Sequence, residues 1–153
     1  MCTCTPPRRR RSAATPCGKK ILFFGDSISY FKYPSLGWID HFASLTGAEC
    51  YNVAVGGAQI RQRMTPSESP TSENRAYAAF DIFSMVKAVV EQNFSVQDAD
   101  VTFLNKYKPQ IDTLKSVNLA EISSIVIFAG GNDWYNGGEY WGWENPNSVD
   151  TVI

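Results

Sequence analysis

Three short apolar runs predict the strands of the chain. Residues 20–25 contain ILFF, residues 51–55 read YNVAV, and residues 124–129 read SIVIFA. Apolar runs of this length are typical of strands buried in a parallel sheet. Glycine and polar residues follow each run, so each predicted strand leads into a tight polar turn.

Helical periodicity separates the three runs. Trp38, Phe42 and Leu45 recur at i, i+4 and i+7, which predicts an amphipathic helix that stops at Gly47. Two more apolar stripes predict two further helices. One spans 77–93, and the other begins at a capping box over 95–98 and is kinked or divided by Pro109. The stripes consist of Phe80, Phe83, Val86 and Val90, and of Val101, Leu104, Ile111 and Leu114. This order of strands and helices predicts an α/β fold with parallel βαβ connections.

Composition sets the expected domain limits. Residues 1–18 are dominated by Pro, Ser, Thr and Arg, which predicts a disordered basic leader, and residues 19–153 then form one domain. Residues 61–76 carry two prolines and almost no apolar side chain, so a solvated loop that could act as a lid is expected there. With 44% hydrophobic and 13% aromatic residues, the chain has enough apolar side chains for a packed core.

Charge is distributed unevenly along the chain. Six positive side chains and no acid fall in residues 1–20, whereas residues 21–153 carry eight positive side chains against 15 acids, a net charge of −7. A phosphate backbone attracts clustered lysine and arginine, so the acidic domain disfavours nucleic acid as a partner. No G-x-G-x-x-G motif follows the first run, which disfavours a nucleotide-binding domain.

Signals for targeting, metals and cofactors are weak. No stretch reaches the ~18 apolar residues of a membrane span, and no apolar segment of a signal peptide follows the basic leader. Cys2, Cys4 and Cys17 have no histidine beside them, so zinc is a weak alternative, and neither a metal nor a cofactor is predicted. Cys50 is expected to be a buried thiol. Compartment and oligomeric state stay open.

The three polar turns combine the groups that acyl transfer requires. They are Gly25-Asp26-Ser27, Gly56-Gly57 and Gly130-Gly131-Asn132-Asp133. Parallel strands place all three turns at one edge of the sheet, where chemistry gathers in open α/β folds. Acyl transfer needs a nucleophilic oxygen and donors about 3 Å from the oxyanion that forms, which a serine, a glycine N–H and an asparagine amide would supply. For any one turn taken alone, a solvated turn without chemistry is the alternative.

In these blocks the chain resembles the SGNH hydrolases, also called GDSL-like esterases and lipases. FFGDSIS matches the first block of that family, NVAVGGA the second and GGND the third, in the right order and each at a predicted strand end. The resemblance implies a flavodoxin-like α/β/α three-layer parallel sheet. It implies that Ser27 is the nucleophile, and that its N–H forms an oxyanion hole with the Gly57 N–H and the Asn132 side chain. Asp26 and Asp133 would then be supporting residues.

The fourth element of the family, a D-x-x-H motif that brings the catalytic acid and base, is absent from the 153 residues. The one histidine, His41, falls in the predicted helix over 37–47, where a surface position is expected. We therefore expect a chain truncated at its C-terminus, with residues 124–129 left as an exposed apolar edge. Such a chain is expected to be marginally stable and inactive, because a serine without a base is a weak nucleophile at neutral pH. A natural enzyme that has lost its base is the alternative.

Aromatic residues crowd the segment WYNGGEYWGWE after the third block. Their rings could stack on a sugar, which makes Trp134 and Trp141 candidate substrate-binding residues; the alternative is that they cover the end of the sheet. The sequence as a whole predicts a serine esterase acting on a carboxylic ester, with an O-acylated carbohydrate as one candidate. A non-catalytic carbohydrate-binding module on the same fold is the alternative from another class, and sequence beyond Ile153 would separate the two.

Overall fold

A three-stranded parallel sheet organises the computed structural model, which describes residues 18–61, 77–102, 104–135, 139–140 and 151–152. β1 (Lys20–Gly25) is the middle strand, with β2 (Glu49–Asn52) on one side and β3 (Ile122–Phe128) on the other. Both pairings are parallel, so the carboxyl ends of the strands lie at one edge of the sheet. A separate parallel pair joins β4 (Glu139–Tyr140) to β5 (Thr151–Val152).

Helices connect and flank these strands. In chain order they are α1 (Ser27–Tyr30), α2 (Trp38–Thr46), α3 (Ile82–Glu91), α4 (Ser95–Asp100), α5 (Lys108–Ser116) and α6 (Gly131–Tyr135). Residues 77–79 add one helical turn, and 3-10 turns occupy Asn105–Tyr107 and Leu119–Glu121. No helix in the described ranges is both long and apolar enough to cross a membrane.

α2 has a defined start and end. The Gly37 N–H donates to the Asp40 carboxylate at 2.8 Å, and Lys32 Nζ lies 3.0 Å from the same side chain. The Gly37 hydrogen bond, with help from Lys32, lowers the pKa of Asp40. At the other end Gly47 adopts a left-handed backbone with φ of 70°, and its N–H donates to Ala43 O at 2.8 Å, which ends the helix where the sequence predicts.

Side chains that alternate along β1 build a core on each face of the sheet. Ile21 and Phe23 pack with Ile39 of α2, whereas Leu22 and Phe24 enter the larger core on the opposite face. That larger core holds buried residues of α3, of α5, of the segment between them and of the segment just before α3, among them Phe80, Met85, Leu104, Tyr107, Ile111 and Leu114. Helices therefore cover both faces, which confirms the predicted α/β/α arrangement.

The face that α3 buries differs from the predicted stripe. Phe80 is buried as expected, but Phe83 and Val90 are more than half exposed. The helix begins only at Ile82, after Phe80, and it buries its other apolar stripe, which consists of Ile82, Met85, Ala88 and Val89. Two apolar stripes share this helix, and tertiary packing selects between them.

The helical region around Pro109 is divided, as predicted. α4 ends at Asp100, a 3-10 turn follows, and Pro109 lies in the first turn of α5, where its missing N–H costs no hydrogen bond. The stripe residues Leu104, Ile111 and Leu114 are all buried. The basic leader up to residue 17 and residues 62–76 of the expected lid lie outside the described residues.

β3 presents apolar side chains to solvent. Ile125 is 56% exposed, Ile127 52% and Phe128 48%. Among the described strands β3 pairs with β1 alone, so its other side is an edge of this sheet, as expected for residues 124–129. Low stability and aggregation of the chain stay predictions.

Gly25, the last residue of β1, lies where the neighbouring atoms leave no space for a side chain. A Cβ at this position would lie 2.7 Å from Ser29 Oγ and 3.0 Å from the Phe128 carbonyl oxygen, which belongs to backbone. We predict that Gly25→Ala lowers the free energy of unfolding by about 1–3 kcal/mol through overpacking. Chemical denaturation measures this change.

Gly131→Ala is the matched control. A Cβ at Gly131 meets no described atom within 4 Å, so this variant is expected to unfold like the wild-type protein. Equal unfolding energies for the two variants would contradict the packing at Gly25.

Candidate active site

The first strand-end turn places Ser27 at the start of a helix. Asp26 is buried, and its Oδ1 accepts a hydrogen bond from the Ile28 N–H at 3.0 Å, while its carbonyl oxygen accepts from the Tyr30 N–H at 2.9 Å. These bonds cap α1 and make the half-buried Ser27 its first residue. First-turn N–H groups point away from the body of a helix, and within the described ranges the Ser27 N–H has no acceptor.

The second turn is held directly beside the first. The Val55 N–H donates to the Gly25 carbonyl oxygen at 3.0 Å, so the chain after β2 stays paired with the last residue of β1. The Ala58 N–H then donates to Val55 O at 3.0 Å and closes a β-turn over Gly56 and Gly57. Gly57 has φ of 85°, which marks a type II turn and explains a glycine at this position.

Asn132 joins the third turn to the second. Its side-chain Nδ2 donates to the Ala58 carbonyl oxygen at 2.9 Å. In the opposite direction, Gln59 Nε2 donates to the backbone oxygen of Asn132 at 3.3 Å. Gly130, with φ of 122°, makes the bend that carries the chain from β3 into α6.

Two buried aspartates fix the segment that follows the second turn. Asp133 is fully buried, and its carboxylate accepts from the Ile60 N–H at 2.9 Å and from the Arg61 N–H at 3.2 Å. Asp81 is also fully buried and accepts from the Gln59 N–H at 2.9 Å. A buried carboxylate requires such donors, because an unpaired charge away from water is costly. These bonds therefore set the path of residues 59–61.

The remaining residues that the sequence singled out lie in different surroundings. Trp134, on α6, is 66% exposed, and Trp141 lies outside the described residues. His41 is exposed on α2. Cys50 is half-buried, and burial raises the pKa of its thiol. In the part of the chain that the structure describes, no group of three or more His, Cys, Asp or Glu side chains could hold a metal ion.

Sequence reasoning missed the polar residues that connect the turns. Gln59 directly follows the second block, so its position beside the glycines was an available signal. No sequence signal marked Asp81 or Tyr107, because both contact this region from distant parts of the chain. The Tyr107 hydroxyl donates to the Gly56 carbonyl oxygen at 3.0 Å, although the two residues are 51 positions apart. Asn52 similarly donates from the end of β2 to the Ser29 carbonyl oxygen of α1 at 2.8 Å.

Comparison with known protein families places the three turns inside a family match. The model of the family described as GDSL-like Lipase/Acylhydrolase matches residues 21–152, which include all three turns. Among curated proteins and among solved structures, none matches the chain at a significant level.

Proposed function

Because the chain belongs to the GDSL-like lipase/acylhydrolase family, we propose that it hydrolyses carboxylic esters with Ser27 as the nucleophile. One observation carries this proposal. Hydrogen bonds join the three strand-end turns to one another, from Gly25 to Val55 and from Ala58 to Asn132. The serine, the glycine N–H and the asparagine amide that acyl transfer needs are thereby carried by turns with fixed relative positions.

In the proposed reaction the Ser27 hydroxyl attacks the ester carbonyl carbon as its proton passes to a base. The negative charge that forms on the carbonyl oxygen is stabilised by three donors: the Ser27 N–H, the Gly57 N–H and the Asn132 amide. Collapse of this intermediate breaks the ester C–O bond, so that the alcohol leaves with the proton from the base and the acyl group stays on Ser27. Water, deprotonated by the same base, then attacks the acyl carbon; the carboxylic acid leaves and the proton returns to Ser27.

Several contacts support these roles. The Ser27 N–H, without an acceptor in the described residues, is available to an incoming oxyanion. The bond from Asn132 Nδ2 to Ala58 O fixes the plane of the amide and hence the direction of both its N–H groups. Asp26 and Asp133 act as supporting residues in this proposal, since their carboxylates hold the backbone around the donors.

We propose no base role for His41. It is the one histidine of the 153 residues, and its side chain is exposed on α2, with the backbone N–H bonded to Gly37 O. A serine nucleophile needs a base near neutral pH. Activity is measured on protein expressed from the full reading frame. A His41→Gln variant is expected to retain that activity.

We predict that Ser27→Ala abolishes hydrolysis of p-nitrophenyl acetate and that Asn132→Ala lowers kcat by about 10²–10³-fold, the usual effect of losing one oxyanion donor. Ser29→Ala is the matched control, two residues further along α1. Its buried Oγ has no hydrogen-bond partner in the described structure, so its removal is expected to leave kcat unchanged.

Retention of most of the wild-type rate by Ser27→Ala would overturn the nucleophile assignment. A loss of activity in Ser29→Ala equal to that in Ser27→Ala would instead attribute both effects to damage of α1.

We further propose that the ester is an O-acylated carbohydrate. The support is Trp134, a large aromatic side chain that is 66% exposed one residue after Asp133 on α6. An exposed indole face beside the third turn suits stacking on a sugar ring. The same surface would serve a non-catalytic carbohydrate-binding module, which is the alternative function.

For this substrate class we predict that Trp134→Ala raises KM for an acetylated oligosaccharide several-fold but leaves KM for p-nitrophenyl acetate unchanged, because the small ester has no sugar to stack. Steady-state kinetics on both substrates measure the difference. Equal changes on the two substrates would contradict a sugar-stacking role, and oligosaccharide binding without any hydrolysis would favour the binding module.

A further inference from the structure

The peptide group between Gly56 and Gly57 has an orientation that its own sequence does not fix. The carbonyl oxygen of Gly56 and the N–H of Gly57 belong to one planar trans peptide, so they point in opposite directions. The type II turn over residues 55–58 differs from a type I turn mainly by a rotation of this central peptide of about 150–170°. Glycine tolerates both conformations, so a Gly-Gly turn can exchange between them at low steric cost.

Tyr107 holds this peptide in one of the two orientations. Its hydroxyl donates to the Gly56 carbonyl oxygen at 3.0 Å, which a type I turn would direct elsewhere. A Cβ on Gly56 would lie 3.0 Å from the same hydroxyl, so the close approach depends on glycine.

The tyrosine is itself fixed by packing. Its side chain is 2% exposed, and its ring centroid lies 5.1 Å from that of Tyr30 and 5.8 Å from that of Phe80, both in edge or tilted contact. Its backbone N–H donates to Leu104 O at 2.9 Å within the 3-10 turn before α5. A rigid donor therefore meets a Gly-Gly peptide for which both turn orientations are sterically accessible.

From this geometry, and resting on the proposed function, we infer that Tyr107 is a positioning residue for ester hydrolysis. Its hydroxyl keeps the Gly56–Gly57 peptide in the type II orientation and so aims the Gly57 N–H at the oxyanion. Hydrogen bonding to a carbonyl also polarises the N–H at the other end of the same peptide, which strengthens it as a donor.

The hydroxyl is suited to act as a permanent donor. Burial raises the pKa of Tyr107, and neighbouring Tyr77 acts in the same direction against the opposing effect of Lys106. The phenol therefore stays protonated through neutral and mildly alkaline pH.

The test removes the hydroxyl and keeps the ring. In protein expressed from the full reading frame, Tyr107→Phe is expected to lower kcat for p-nitrophenyl acetate by about 10- to 100-fold, less than the loss of a complete donor, with KM little changed. Tyr51→Phe is the control, because the Tyr51 hydroxyl donates to the Glu49 side chain on β2 rather than to the Gly56 carbonyl oxygen. Thermal unfolding of both variants verifies that they fold.

A second readout does not depend on turnover. In isotope-labelled protein, the Gly56 carbonyl-carbon and Gly57 amide resonances should shift in Tyr107→Phe and stay in place in Tyr51→Phe. A purely structural role for the tyrosine would lower the unfolding temperature without a selective loss of kcat.

The outcomes separate the two proposals. If wild-type protein shows Ser27-dependent hydrolysis and folded Tyr107→Phe retains its kcat, the positioning role is wrong and the proposed function stands. If wild-type protein hydrolyses no ester, the proposed function fails, and the resonances alone test whether Tyr107 orients the Gly56–Gly57 peptide. Unchanged Gly56 and Gly57 signals in Tyr107→Phe would show that it does not, and shifted signals would support it.

Discussion

The pairing of β1 with a parallel strand on each side is the constraint on which the candidate site depends. β1 can occupy the middle of the sheet because its side chains are apolar on both faces: Leu22 and Phe24 are buried on one face, Ile21 and Phe23 on the other. Parallel registers then bring the ends of β2 and β3 to the same edge as Gly25. A polar residue in this run would weaken one of the two cores and, with it, the alignment of the three turns.

Buried hydrogen bonds fix the positions and orientations of the three aligned turns. Hydrophobic packing is not directional, so it places the turns near one another without orienting their N–H groups. Asp133 and Asp81 accept from the backbone of residues 59–61, and the Asn132 amide donates to Ala58. Because each buried group has lost its hydration and only its partner compensates for that loss, these hydrogen bonds resist small displacements of the turns. The Tyr107 hydroxyl does the same for one peptide plane.

The features that the sequence could predict are those that depend on residues close to one another along the chain. The bounds of β1 and the end of α2 rest on local patterns, an apolar run and a glycine stop, and both agree with the structure. β2 spans Glu49–Asn52 rather than 51–55. After Asn52 the chain makes isolated backbone hydrogen bonds to β1 and no longer forms a continuous hydrogen-bond ladder. β3 likewise starts at Ile122 rather than at residue 124.

Features that depend on contacts between residues far apart in the chain could not be predicted. α3 carries two apolar stripes, and its own sequence cannot indicate which one meets the core. The blocks around Ser27, Gly57 and Asn132 were recognisable because each is a short motif after a strand. By contrast, Tyr107 and Asp81 meet the second turn only through tertiary folding, so no spacing along the chain marks them.

The proposed oxyanion hole is tested most directly by a crystal structure of the protein after reaction with an alkyl phosphonate ester, whose phosphoryl oxygen occupies the position of the oxyanion. We expect a covalent adduct on Ser27 Oγ, with that oxygen about 2.7–3.1 Å from the Ser27 N, the Gly57 N and the Asn132 Nδ2. An adduct on another residue, or a phosphoryl oxygen directed away from these three nitrogens, would contradict it.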